Sequence, residues 1–254
     1  MFDTETHRPM WLIGTSGWSY RHWRERFYPS DLPPWRWFAF YVREFATVEL
    51  NVTFYRLPPR RQFQDWARTA ADRPGFVFAV KAPRTITHVR RLVDVEGELQ
   101  EFLDAIAGLG PTRGPLLFQL PPGFPCELER LRSFLNLLPP GQPFAFEFRH
   151  PSWFVPAVAQ ALADAGGTVV LAYGGAHPTP ESFPFIGPFC YVRVHSGLSD
   201  IGLSDEEIET IARRLLDVAG ATGYVYFNND AFAHAVRDAR RLRAALAARG
   251  VAVT

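Results

Sequence analysis

Eight short segments rich in β-branched and aromatic residues recur along the chain, and most of them are apolar without interruption. Strands of a parallel sheet have this pattern because both of their faces are buried. The predicted strands are residues 11–15, 47–51, 76–81, 115–120, 144–149, 168–172, 189–195 and 224–228. This recurrence restricts the possible folds more than any other feature of the sequence.

Helical patterns separate these strands. The predicted helices are residues 35–45, 59–70, 98–109, 127–138, 155–165, 208–219 and 231–248. Ser204 and Glu207 have the spacing of a capping box ahead of the sixth of these helices. Residues 173–188 are rich in Pro and Gly and lack a helical period, so a loop is expected to shorten or replace the helix after the sixth strand.

Alternation of strand and helix predicts parallel strands joined by right-handed crossovers. A chain of 254 residues has the usual length for one (β/α)₈ barrel of the TIM type. We therefore predict α/β class and a single barrel domain over residues 1–254. An open doubly wound sheet is the alternative, but it usually begins with G-x-G-x-x-G, which residues 14–18 (GTSGW) do not match.

Composition limits the environment and the partners. The formal net charge of +1 provides no general attraction to nucleic acid or membranes, so any anion-binding surface has to be local. Cys126 and Cys190 lack a C-x-x-C spacing, which fits a reducing compartment. Neither an apolar leader within residues 1–10 nor a stretch of about 18 apolar residues is present. A cytoplasmic protein without membrane contact is expected, and the sequence does not indicate an oligomeric state.

Polar side chains interrupt the predicted strands near their C-terminal ends. They are Glu49, Asn51, Lys81, Gln119, Glu147, Arg149, Arg193, His195 and Asn228. Residues two apart on a strand share a face, so Glu49/Asn51, Glu147/Arg149 and Arg193/His195 are predicted to be same-face pairs. The C-terminal ends of the strands form the mouth of a barrel, where barrel enzymes place their chemistry. An ion-pair lattice with a purely structural role is the alternative.

Seven ordered motifs resemble the YecE-like family, the proteins of domain of unknown function 72. They are residues 14–18 (GTSGW), 47–51 (TVELN), 78–81 (FAVK), 117–122 (LFQLPP), 147–150 (EFRH), 191–195 (YVRVH) and 226–229 (YFNN). The resemblance covers nearly the whole chain and implies a TIM-type barrel, but no activity. The chain departs from the family where Ala172-Tyr173 replaces a common Asp and where Ser196 follows His195 in place of Gly.

Acid–base or hydrolytic chemistry on a small anionic substrate is the predicted function. His195 is the expected general acid or base because the ordinary pKa of imidazole is near neutrality. Glu49 and Glu147 are the other predicted catalytic residues, as bases or as groups that orient the imidazole. Phosphate or carboxylate would be bound by the cationic and amide side chains. These predicted binding residues are Asn51, Lys81, Gln119, Arg149, Arg193 and Asn228. No cofactor is predicted, and two carboxylates at the mouth also leave glycoside hydrolysis open.

Two further hypotheses belong to other classes. A metal-dependent phosphodiesterase resembling endonuclease IV would draw its ligands from Glu49, Glu147, His88, His150 and His195. The sequence contains neither H-x-E-x-H nor H-x-H, and neighbouring cations would oppose a dication, so no metal is predicted. A non-catalytic binder of an anionic metabolite or of nucleic acid is the other hypothesis. It would use the arginines and aromatic residues interleaved over 18–26.

Overall fold

The computed structural model describes residues 10–196, 202–218 and 222–254. Within these residues ten strands form one sheet, and every strand pair is parallel. The strands are β1 Met10–Ser16, β2 Thr47–Leu50, β3 Val77–Lys81, β4 Arg113–Gln119, β5 Phe144–Glu147, β6 Thr168–Val169, β7 Leu171–Tyr173, β8 Cys190–Val194, β9 Gly223–Phe227 and β10 Ala252–Val253.

Strands β1 to β9 form a nearly closed barrel in the order β6-β5-β4-β3-β2-β1-β9-β8-β7. The predicted sixth strand is divided into β6 and β7 at Val170, where the chain changes its partner from β5 to β8. The Val170 amide still donates to the Phe146 carbonyl at 2.8 Å, so the ring continues across the division. The predicted fold class, a (β/α)₈ barrel of the TIM type, is confirmed.

Helices fill the crossovers between the strands. They are α1 Trp37–Glu44, α2 Val52–Tyr55, α3 Arg60–Ala70, α4 Glu96–Ile106, α5 Leu128–Leu135, α6 Pro156–Asp164, α7 Asp205–Asp217 and α8 His234–Ala247. The capping box of α7 is present, since Ser204 Oγ accepts from the Glu207 amide and the Glu207 carboxylate accepts from the Ser204 amide. The predicted end of that helix at residue 219 lies outside the described residues.

Residues 174–189 contain no helix, so the expected loop replaces the helix after the sixth strand. Among the strands and α-helices named above, the single-turn helix α2 and strand β10 were not predicted, because neither is long enough to show a period. No helix in the described ranges is long and apolar enough to cross a membrane.

Side-chain alternation separates two buried clusters. The larger one lies between the sheet and the helices, and a smaller one contains Ala79, Leu117, Ala145, Tyr191 and Tyr226. Residues of the smaller cluster lie two positions before the strand-end polar residues on β3, β4, β5, β8 and β9. Because alternate residues share a face, the same interior face that is apolar lower in the barrel becomes polar at its C-terminal end.

Candidate active site

Arg193, on β8, joins two buried carboxylates from other strands. Its Nε donates to Glu49 Oε2 at 2.9 Å and its Nη2 to Glu49 Oε1 at 2.8 Å. Its Nη1 donates to Glu147 Oε2. The Arg193 side chain is 1% exposed, and both glutamate side chains are 0% exposed. One guanidinium therefore connects β2, β5 and β8 beneath the barrel mouth.

Glu49 is saturated by hydrogen-bond donors. Besides Arg193, Ser16 Oγ donates to its Oε1 at 2.7 Å and the Tyr191 hydroxyl to its Oε2 at 2.7 Å. Burial by itself would raise the pKa of Glu49, but the charge of Arg193 and these hydrogen bonds outweigh burial and lower that pKa. Glu49 is thus held as a buried anion with no exposed oxygen.

Glu147 connects the buried ions to the mouth. Its Oε1 accepts from Arg149 Nε at 3.0 Å and lies 3.1 Å from His195 Nε2. Burial opposes ionisation of Glu147, but the charge of Arg193, the hydrogen bond with His195, and the charges of His195 and Arg149 lower its pKa well below the ordinary value. The side chains of Arg149 and His195 are 27% and 14% exposed, so two accessible groups share one buried carboxylate oxygen.

Asn228 fixes the orientation of the His195 ring. Its Nδ2 lies 3.3 Å from His195 Nδ1. An amide that donates to Nδ1 requires that nitrogen to be unprotonated, so the proton of the neutral ring is on Nε2 and is donated to Glu147. A carboxylate behind an imidazole in this way stabilises the imidazolium that forms when the ring accepts a proton.

Lys81 and Gln119 form a second group on the neighbouring strands β3 and β4. Lys81 Nζ donates to Gln119 Oε1 at 2.7 Å and lies 4.1 Å from the ring centre of Phe54. Gln119 Nε2 lies 3.3 Å from His88 Nε2. Burial and the positive charge of Arg193 lower the pKa of Lys81 to about 7, although Glu147 and Glu49 oppose the shift. Burial and nearby cations, Lys81 first, lower the pKa of His88 to about 4.

Of the predicted site residues, the hydrogen-bond network brings six together. They are Glu49, Glu147, Arg149, Arg193, His195 and Asn228. Asn51 stays apart from this network. Strand β2 ends at Leu50, and Asn51 has helical φ and ψ of −102° and −14°, which ends the two-residue alternation. Asn51 lines a cleft of about 900 Å³ together with Trp18, Trp35 and Trp66.

Two predicted roles do not match the positions of the residues. Direct substrate binding by Arg193 requires an accessible guanidinium, but this one is buried and bound to both carboxylates. Direct catalysis by Glu49 would also require accessible atoms, but both of its carboxylate oxygens are buried and already accept hydrogen bonds from the protein. Glycoside hydrolysis is also disfavoured, since a sugar has to lie between the two carboxylates and Arg193 occupies that position.

Three site residues were absent from the sequence prediction, namely Ser16, Tyr191 and Phe54. A search for charge overlooks hydroxyl and aromatic side chains. The sequence nevertheless contained one signal, because Tyr191 precedes Arg193 by two residues on one strand. Ser16 pairs with Glu49 across the β1–β2 ladder, and that register is known only from the structure.

A metal centre has little support in the described part of the chain. There, no group of three or more His, Cys, Asp or Glu side chains is placed to hold an ion. His88 contacts Gln119 and Thr87, and His150 contacts Ser152, so neither joins a carboxylate. The ligand set of the phosphodiesterase hypothesis is therefore not assembled among these residues.

The barrel and its buried ionic centre define a TIM-type α/β protein with ionisable groups at the C-terminal ends of its strands. The chain belongs to the family described as "Protein of unknown function DUF72", whose model matches residues 12–253. The resemblance identified from the sequence motifs is thereby confirmed.

Two curated relatives are similar over part of the chain. UPF0759 protein YecE of Escherichia coli K12 is 35% identical over 127 residues, which cover 50% of this chain and 46% of YecE. UPF0759 protein YunF of Bacillus subtilis is 31% identical over 157 residues, which cover 58% of this chain and 53% of YunF. The match spans about half the length of these curated relatives.

Solved structures of DUF72 family proteins have the same fold. One from Thermotoga maritima has a TM-score of 0.81 and 27% identity, with 94% of this chain and 99% of that chain covered. One from Enterococcus faecalis has a TM-score of 0.77 and 19% identity, with coverage of 94% and 96%. The second comparison bears on the fold alone.

Proposed function

We propose that the protein is an enzyme that performs acid–base chemistry on a small phosphate- or carboxylate-bearing substrate at the barrel mouth. The observation that carries the proposal is the shared use of Glu147 Oε1 by Arg149 and His195, which are both partly exposed. A cation for binding and an imidazole for proton transfer thus lie side by side on one rigid acceptor.

Arg149 supplies the anion-binding group. Its Nε is occupied by Glu147, whereas Nη1 and Nη2 make no hydrogen bond with any residue that the structure describes. Two terminal nitrogens match the geometry of a carboxylate or phosphate. Arg193 has a different role from the one expected, because it fixes Glu147 from below.

His195 supplies the proton-transfer group. A substrate that displaces the 3.3 Å contact with Asn228 gains access to Nδ1, the unprotonated nitrogen. Nδ1 then accepts a proton while the Nε2 proton stays hydrogen-bonded to Glu147 at 3.1 Å. The anionic carboxylate stabilises the resulting imidazolium, as in other His–carboxylate pairs.

Nucleic-acid binding is less well supported. Of the aromatic residues in the 18–26 stretch, Trp23 is fully buried and the Tyr20 hydroxyl donates to the Ser16 carbonyl at 2.6 Å. A ring that is fully buried, as that of Trp23 is, does not stack with bases. A small anion at the mouth explains the arrangement better.

Anion-specific thermal stabilisation tests the proposal. A ligand that binds only the folded state stabilises it by about 2.7 kcal/mol at one hundred times its dissociation constant. Phosphate and sulfate should raise the melting temperature of the wild type more than chloride at matched ionic strength. Arg149→Met should lose this additional rise, because its substitution removes the two free nitrogens and leaves the buried Arg193 in place.

Arg132→Met is the matched control, since Arg132 is a half-exposed arginine of α5 that pairs with Glu129. It should retain the full response to phosphate. An equal rise in the wild type and in both variants would reflect general exclusion of salt from the protein surface and would refute anion binding at the mouth.

A further inference from the structure

Lys81 is the single lysine of the chain. The sequence has 27 Lys and Arg residues, so the other 26 are arginines. Arginine therefore occupies every other cationic position, on the surface as well as in the ion pairs. A guanidinium stays protonated in proteins, whereas an amine can lose its proton and act as a base or nucleophile. The one position with an amine is at the C-terminal end of β3, inside the barrel mouth.

The surroundings of Lys81 do not suit a structural cation. The residue is 9% exposed and forms no ion pair with any described residue. Its Nζ contacts the Gln119 carbonyl oxygen and the face of Phe54. The Phe54 ring face and the Gln119 oxygen favour the ammonium form, but burial without a carboxylate partner disfavours it more strongly and lowers the pKa of Lys81.

Charged groups on the adjoining elements act on Lys81 in both directions. Arg193 of β8 and Arg149 after β5 disfavour its protonation, while Glu147 of β5 and Glu49 of β2 favour it. Both carboxylates are already bound to Arg193, which limits what they offer to a second cation. With its pKa lowered to about 7, about half of the Lys81 amine is unprotonated at neutral pH.

We propose that Lys81 Nζ is a nucleophile that forms an imine with an aldehyde or ketone substrate carrying an anionic group. The anionic part of this inference rests on the proposed function, with Arg149 as its binding group. The covalent step depends on Lys81 alone. Phe54 and Gln119 act as positioning residues, because one packs against the amine and the other accepts its hydrogen bond.

The step is balanced without a further reactant. The Nζ lone pair attacks the carbonyl carbon, a C–N bond forms, and the π electrons move to oxygen, which takes one proton from nitrogen. The hydroxyl group then leaves with the second amine proton as water, and the nitrogen lone pair completes the C=N bond. No group is oxidised or reduced, and both protons lost by the nitrogen leave with the carbonyl oxygen as water.

Reductive trapping with glyoxylate tests this proposal. Glyoxylate forms an imine with a neutral amine at pH 7, and cyanoborohydride reduces this imine by hydride transfer to a stable carboxymethyl-amine, which peptide mass spectrometry locates. Lys81 is the single lysine of the sequence, so the α-amine at the N-terminus of the protein used in the experiment serves as an internal reference. An ordinary lysine with a pKa of about 10.4 is about 0.04% neutral at pH 7, roughly a thousandfold less than an amine with a pKa near 7.

We expect Lys81 of the wild type to be labelled faster than the α-amine, with a rate that increases with pH and levels off above pH 8. Lys81→Arg keeps the charge and should be labelled only at the α-amine. Folding of that variant is checked by its circular dichroism. Labelling of the wild type at the α-amine alone, with Lys81 unmodified, would overturn the proposal.

A neutral aldehyde separates this inference from the proposed function. Propanal and glyoxylate are compared in the wild type and in Arg149→Met. Preference for glyoxylate that disappears in Arg149→Met supports both the imine and the anionic substrate. Equal labelling of Lys81 by the two aldehydes would support Lys81 as a nucleophile and would refute the proposal that its substrate carries an anionic group. Stabilisation of the protein by phosphate without labelling of Lys81 would support the proposed function and would refute imine formation at Lys81.

Discussion

At the scale of the residue, Arg193 determines which ionisable side chains of the site remain accessible. Each of its three nitrogens donates to one of two buried carboxylates. Burial of its charge is offset by the charges of Glu49 and Glu147, which raise its pKa. Removing one partner of a buried ion pair leaves an uncompensated charge and costs about 3–5 kcal/mol. Arg193 is therefore a positioning residue, and the accessible chemistry is left to Arg149, His195 and Lys81.

Arg193→Met should lower the free energy of unfolding by about 3–5 kcal/mol at pH 7. Without the guanidinium, burial becomes the main influence on Glu49 and Glu147 and raises their pKa values above those of the unfolded chain. A raised folded-state pKa means stability that is present at low pH and lost as pH increases. Urea unfolding of the variant should therefore show greater stability at pH 5 than at pH 8.

Arg132→Met again serves as the control, because its exposed ion pair with Glu129 contributes at most about 1 kcal/mol. It should unfold like the wild type at both pH values. A loss below about 1 kcal/mol in Arg193→Met would show that the two carboxylates do not depend on that guanidinium.

At the scale of the element, the close contact between β1 and β2 requires glycine, which has no side chain, at position 14. A Cβ at Gly14, in the middle of β1, would lie 2.3 Å from the Thr47 carbonyl oxygen and 3.1 Å from Thr47 Cγ2. The first of these atoms belongs to the backbone and cannot rotate away. Close approach of the two strands brings Ser16 opposite Glu49, so the packing at Gly14 also supports the site.

Gly14→Ala should destabilise the protein by about 1–3 kcal/mol or more, because the strands have to separate to admit the methyl group. Gly97→Ala is the matched control, since Gly97 lies in α4 and its Cβ would meet no atom within 4 Å. Alanine favours a helix over glycine by up to about 1 kcal/mol, so this variant should be unchanged or more stable. Thermal unfolding of both proteins measures the contrast, and equal effects would contradict the packing argument.

At the scale of the whole molecule, the ionic centre connects parts of the barrel that are distant in sequence. Arg193 is 144 residues from Glu49 and 46 residues from Glu147, and the three strands β2, β5 and β8 meet only in the closed ring. Ionisation of the centre is consequently linked to folding of the entire barrel.

Acid should unfold the wild type through this centre. The folded-state pKa values of Glu49 and Glu147 are lowered, that of Glu147 strongly, relative to about 4.3 in the unfolded chain. Their stabilising contribution is fully present above pH 5 and decreases as pH falls through about 4. Urea unfolding at pH 6, 4 and 3 should show this decrease. The opposite slope in Arg193→Met is the internal comparison, and a wild type with pH-independent stability over this range would refute the linkage.

Local periodicity made much of the fold predictable from the sequence. Continuous apolar segments located the strands, the Pro- and Gly-rich stretch at 173–188 located the missing helix, and Ser204 with Glu207 located the start of α7. The ends of the strands were less certain, as Asn51 shows, because a backbone turn is determined by packing against neighbouring elements. Division of the sixth strand at Val170 likewise depends on which strand each half pairs with.

The sequence by itself indicated most of the charged groups at the C-terminal ends of the strands, since strand alternation and the direction of parallel strands are local properties. It also determined that only one amine is present there. Tertiary structure decided which groups are paired and which are accessible. Arg193 and Arg149 have the same side chain. Closure of the barrel nevertheless buries Arg193 between two carboxylates and leaves Arg149 partly exposed to solvent. Arg193 pairs with carboxylates that are 46 and 144 residues away in sequence. Only closure of the barrel brings these side chains together, and no local sequence pattern encodes their pairing.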